Sequence, residues 1–105
     1  MTLAEFKTII ASTGISCGYY QFPEGEVPAL PFLVWFETET NNFGADNKVH
    51  KEVHEIAVEF YAKTRDLTNE GSIETVFANN GIFWNKEITY LDDEKCFETI
   101  YTLEV

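Results

Sequence analysis

The sequence predicts an α+β domain: one four-stranded antiparallel sheet with two helices packed on one face, in the order α-β-β-α-β-β. Three observations carry that prediction. Apolar residues recur at helical spacing in two stretches, residues 3–13 and 67–79. They alternate with a period of two in four others, each long enough for one strand. Each predicted strand pair follows a predicted helix, and 105 residues hold a single domain, 1–105, with one modest core.

Thr2 and Glu5 have capping-box spacing, and Leu3, Phe6, Ile9 and Ile10 then share a helix face until Gly14 ends the run. Residues 15–22 are short and aromatic, with Tyr19, Tyr20 and Phe22. Pro23, Gly25 and Pro28 break regular structure after them, because proline removes a backbone donor and glycine permits turns. Leu30, Phe32, Val34 and Phe36 then alternate with Leu33, Trp35, Glu37 and Glu39, the pattern of a strand buried on both sides over its first half. A polar stretch, Thr40 to Lys48, separates it from a second strand over residues 49–63. There Ile56, Val58 and Phe60 oppose Glu55, Ala57, Glu59 and Tyr61.

Ile73, Val76 and Phe77 place the second helix at 67–79, weakened in its middle by Gly71 and closed by Asn79-Asn80-Gly81. Ile82, Trp84, Ile88 and Tyr90 mark a third strand. Asp92-Asp93 is a turn, and Phe97, Thr99, Tyr101, Leu103 and Val105 line a fourth strand. The uncovered sheet face is expected to carry Trp35 and Tyr61, too apolar for a monomer surface, which predicts self-association.

Eighteen acidic and seven basic side chains give a formal charge of −11, spread from Glu5 to Glu104. With nine Phe, five Tyr and two Trp, the chain is too aromatic for an acidic disordered segment. Direct nucleic-acid binding is excluded as an expectation, since it needs clustered Lys and Arg that release counterions. Cys17 and Cys96 have no CxxC spacing, and Met1-Thr2-Leu3-Ala4-Glu5 has neither the basic region nor the following apolar run of a signal peptide. Synthesis in a reducing cytosol is the expectation. The longest apolar run, Ala29 to Phe36, is far short of the eighteen or so residues of a membrane span.

His50 and His54 raise a zinc hypothesis. On a strand they share a face but sit roughly 13 Å apart at about 3.3 Å per residue, too far for one ion. Surface or interface histidines are the better reading. Glu37 with Glu39, and Asp92 to Glu94, supply paired acids, yet they fall on strand faces or in a turn rather than in a pocket that would separate their pKa values. Cys17 and Cys96 read as small buried or half-buried thiols. No nucleophile elbow, phosphate-cradling glycine loop or Cys/His cluster is present, so neither enzymatic activity, a metal nor a cofactor is expected.

The most informative stretch is Thr40-Asn41-Asn42-Phe43-Gly44-Ala45-Asp46-Asn47-Lys48, longer than a strand connector needs and with an aromatic at its centre. Together with Pro31-Phe32-Leu33-Val34, Val58-Glu59-Phe60-Tyr61, Lys63, Asp66, Glu70, Ile73-Glu74, Gly81-Ile82-Phe83 and Tyr101-Thr102-Leu103-Glu104-Val105, it resembles the tail-terminator, or head-tail joining, proteins of long-tailed bacteriophages and prophages of Gram-positive bacteria. Phe60 and His50 depart from that family's pattern. The resemblance implies an α+β subunit that forms a ring, commonly sixfold, on the head-proximal end of the tail tube. The ring stops polymerisation of the major tail tube protein and docks to the head connector or stopper protein. It implies assembly in the host cytoplasm and residence in the virion. Asn41, Asn42, Phe43, Asp46 and Asn47 are then expected to form a docking loop with Phe43 at its tip, while Trp35, Tyr61 and Trp84 pack against neighbouring subunits.

Composition alone also admits a small acidic phage protein that mimics DNA and inhibits a host protein. That role needs charge gathered on one face, whereas the acids are expected to alternate with apolar residues around the whole sheet.

Overall fold

Thr2 caps the first helix as its spacing predicts. Its hydroxyl accepts from the Glu5 N–H at 3.1 Å, and the Glu5 carboxylate accepts from the Thr2 N–H at 3.2 Å. The computed structural model describes residues 1–105 and comprises α1 (Leu3–Ala11), β1 (Ser16–Tyr19), β2 (Phe32–Thr40), β3 (Phe43–Ala45), β4 (Lys48–Lys51), β5 (His54–Ala62), α2 (Leu67–Asn79), β6 (Trp84–Leu91) and β7 (Cys96–Glu104). α1 ends two residues before the expected boundary because the Thr13 hydroxyl turns back to the Ile10 carbonyl and Gly14 adopts a positive φ. α2 matches the expected range, with Asp66 accepting from the Asn69 N–H at its N-terminus.

The sheet differs from the four-stranded antiparallel one that the sequence predicts. It has five strands in the order β1-β2-β5-β7-β6, and β1 runs parallel to β2, so the element order is α-β-β-β-β-β-α-β-β. The extra strand is four residues long and contains Gly18, too little for an alternating pattern to show. A parallel neighbour also needs a long crossover. The proline-rich residues 20–31 are that crossover, made without a helix and laid over the sheet face away from the helices. The Phe22 ring lies 5.4 Å from that of Phe32 and occupies the space a Cβ on Gly18 would need, 3.1 Å away.

The second correction concerns residues 49–63. They are not one strand but two, broken at Glu52-Val53. β4 turns back on β3 to make a separate two-stranded sheet, and only β5 pairs with β2. The break is pinned where the Asn41 N–H donates to the Val53 carbonyl at 2.8 Å and the Val53 N–H donates to Asn42 Oδ1 at 3.1 Å.

Register assigns the two faces of the large sheet. Leu33, Trp35, Ile56, Val58, Phe60, Tyr101 and Leu103 face the helices and meet Phe6, Ile10, Ile73 and Phe77 in one buried cluster. The Phe6 ring sits 5.1 Å from Trp35 and 6.5 Å from Phe77, joining α1, α2 and the sheet. Burial of each such large side chain contributes about 1.5–3 kcal/mol. Neither helix is long and apolar enough to cross a membrane. The radius of gyration is 14.8 Å, against about 13 Å for a compact domain of this size, and the molecule measures 50 × 29 × 23 Å. The β3–β4 hairpin is exposed at every position and projects from the body as an arm.

Candidate functional site

The asparagine-rich stretch is a β-arm rather than a loop. Asp46 and Asn47 both have positive φ, 54° and 60°, as the two central residues of a hairpin turn require, and Asx side chains tolerate that conformation best after glycine. Phe43 is not at the tip. It pairs with Lys51 at the base of the arm, with 67% of its surface exposed. Asn41 and Asn42 hold the neck closed, so of the five expected docking residues, Phe43, Asp46 and Asn47 stand on the arm itself. A bulge between Phe43 and Gly44 inserts an extra residue on β4, which places Phe43, Ala45, Lys48 and Lys51 on one face of the arm and Gly44 and Val49 on the other.

The acids do not ring the sheet. Of the seven glutamates in its strands, only Glu37 faces the helices. Glu39, Glu55, Glu59, Glu87, Glu98 and Glu104 all lie on the opposite face, which residues 20–31 cover over β1 and β2 and leave open over β7 and β6. Glu39, Glu55 and Glu104 stand abreast on β2, β5 and β7. A hydrogen bond with Glu39, partial burial and the negative charges of Glu39 and Glu104 push the Glu55 carboxyl up to about 7. Two rungs further on, burial and then the charge of Glu98 raise Glu59. The Tyr61 hydroxyl donates to Glu98 at 2.7 Å and lies 3.3 Å from Glu59; burial and these carboxylates hold the phenol above its ordinary range. Ala57, Ile100 and Thr102 fill the space between the acidic rows.

The expected subunit-contact residues separate. Tyr61 lies on the face away from the helices, half-buried with its ring 5.3 Å from that of Phe32. Trp35 is on the helix side and 4% exposed, with its ring between Phe6 and Tyr19, so it is a core residue and presents no surface to a neighbour. Trp84 is also on the helix side, half-buried with its edge against Tyr101 and the Lys86 ammonium 5.6 Å away.

Sequence reasoning missed a buried ionic network beside Trp84. Glu70 is 2% exposed and accepts from Arg65 Nε at 3.2 Å, from the second Arg65 nitrogen at 3.3 Å and from Lys86 Nζ at 3.0 Å. Lys86 also donates to Glu74 at 2.9 Å, as does the Tyr101 hydroxyl at 2.7 Å. Burial opposes the charge on Lys86, but its bonds to Glu74 and Glu70 outweigh it and raise the ammonium pKa. The network ties α2 to β6 and β7.

The histidines part company: His50 is exposed on the arm, whereas His54 Nδ1 contacts the Glu37 carboxylate at the end of β5. No three His, Cys, Asp or Glu side chains are grouped to hold a metal ion. Burial raises both thiols, with Glu94 and Glu98 adding to the effect at Cys96, the opposite of what activates a nucleophile. A scan against protein-family models and a search of curated proteins each return no match for this chain. The groups that stand out are surfaces: a cationic, aromatic arm and a carboxylate-lined sheet face.

Proposed function

We propose that this chain is a ring-forming structural subunit that caps the head-proximal end of a phage tail tube, stops its growth and joins it to the head connector. The observation that carries the reading is the arm: nine residues with no fold-internal role, exposed throughout, with an uncovered aromatic at its base. An exposed aromatic at the base of a projecting hairpin, sharing a face with two lysines, suits an anchor for a partner. The chain's overall acidity supports the same reading, since a ring of subunits with a formal charge of −11 each repels phosphates and lets DNA pass its channel without sticking. Both edge strands, β1 and β6, are free for contact with different neighbours, as the heterologous contacts of a ring require.

The test is genetic. A phage carrying Phe43→Ala is expected to make folded subunit but tails of uncontrolled length and no joined particles. Normal infectious virions from that mutant would remove the arm from the account.

A second reading gains from the structure. Six glutamates on one face, with no basic residue from the same strands among them, match a DNA-mimicking inhibitor better than acids spread around the sheet would. Such a protein would act as a monomer or dimer, and polyanions would compete for its target. The projecting arm has no task in that reading.

A further inference from the structure

The arm and the open sheet face have opposite character. The hairpin from Phe43 to Lys51 holds two lysines and one acid, Asp46 in its turn, while the rest of the chain holds five basic and seventeen acidic side chains. Of those five, Arg65 and Lys86 are already engaged by Glu70 and Glu74. Lys48 and Lys51 have no ion pair within the chain, and they share the arm face that carries Phe43. A two-stranded hairpin alone in water is marginal, so this one gains from a surface to lie on.

The open face offers the complement. Glu55 and Glu104 stand at one end, Glu59, Glu87 and Glu98 further along, and Ala57, Ile100 and Thr102 lie between them. The arm runs on from the ends of β2 and β5, so it points away from its own sheet. We propose that the arm of one subunit lies across the open sheet face of a second copy, with Phe43 on Ile100 and Thr102 and with Lys48 and Lys51 among Glu55, Glu59 and Glu104. One patch meets a different patch, so the contact repeats head to tail and each copy both gives and receives an arm. Three carboxylates abreast repel one another in the isolated subunit, and a neighbour's ammonium groups relieve that repulsion. The inference rests on the ring reading for its closure, not for the contact itself.

The test uses the whole chain, mixed in unlabelled and ¹⁵N-labelled form and treated with a zero-length carbodiimide. Isotopically mixed peptides joining Lys48 or Lys51 to Glu55, Glu59 or Glu104 are expected, with oligomers in sedimentation velocity that weaken as salt rises. Lys48→Glu with Lys51→Glu is expected to return the protein to a 12.0 kDa monomer, and adding Glu55→Lys with Glu104→Lys to the same chain to restore assembly. A monomer at every concentration with no mixed peptides overturns the proposal, as do oligomers that the lysine reversal leaves intact. Arm-dependent oligomers that fail to cap tail tubes would remove the tail-end reading and keep this contact. Tube capping that survives the lysine reversal would do the reverse.

Discussion

Glu70→Ala is the sharpest probe of how α2 is held to the sheet. Glu70 is 2% exposed and receives three charge-assisted hydrogen bonds, two from Arg65 and one from Lys86. Removing one partner of a buried ionic group costs about 3–5 kcal/mol, because the other is left uncompensated. Here the stranded charges have outlets: the Arg65 side chain is 39% exposed, and Lys86 keeps Glu74 at 2.9 Å. The loss therefore falls below that range, at about 2–3 kcal/mol, which in a domain of this size lowers Tm by about 10 °C. Urea unfolding followed by tryptophan fluorescence reads it as a lower midpoint at unchanged slope. Glu70→Gln, which keeps the volume, is expected to lose about half as much. A double-mutant cycle with Lys86→Met gives the coupling directly. A loss under about 0.5 kcal/mol for Glu70→Ala would show that the network does not hold α2 in place.

Other substitutions separate core from surface. Trp35→Ala is expected to cost about 3–5 kcal/mol in the isolated subunit, as a buried aromatic would and an interface residue would not; an unchanged urea midpoint would return Trp35 to the surface. Phe43→Ala is expected to leave stability within about 0.5 kcal/mol, and a larger loss would place that ring in the fold. Gly71→Ala, on an open helix surface with nothing within 4 Å of the added methyl, is expected to stabilise by about 0.5–1 kcal/mol in the same assay; destabilisation would mean that the site is not open. The acidic face sets the pH dependence. With Glu55 at about 7 in the fold against 4.5 unfolded, the folded state binds more protons between those values, so stability falls as pH rises through that window. Glu59 adds a slope of the same sign. Thermal melts from about pH 5 to about pH 8 should show a declining Tm that Glu55→Gln flattens; a Tm rising through that window would contradict the raised Glu55 pKa.

What could be read from the residues was whatever acts over a few positions. α2 was legible because its caps and its apolar triplet, Ile73, Val76 and Phe77, lie within one short stretch. The face of β5 that meets the helices was legible in Ile56, Val58 and Phe60. β1 was not, since its partner lies across a twelve-residue crossover and its four residues leave no periodic trace. The arm read as a loop because the asparagines and glycine that suit its turn and neck also suit irregular structure. The acids looked dispersed because alternation along one strand does not reveal that β2, β5, β6 and β7 turn six of their seven glutamates to the same side; only the register does. Lys86 and Glu70 are sixteen residues apart, and nothing local announces their pairing.

Tube capping is the most direct test of the ring reading. Purified chain mixed with the tail tube protein of the same phage and viewed by negative-stain electron microscopy is expected to show rings seated on one end of each tube, with growth halted there. Bare tubes that keep lengthening in the presence of excess subunit would contradict it and shift the account to the acidic inhibitor.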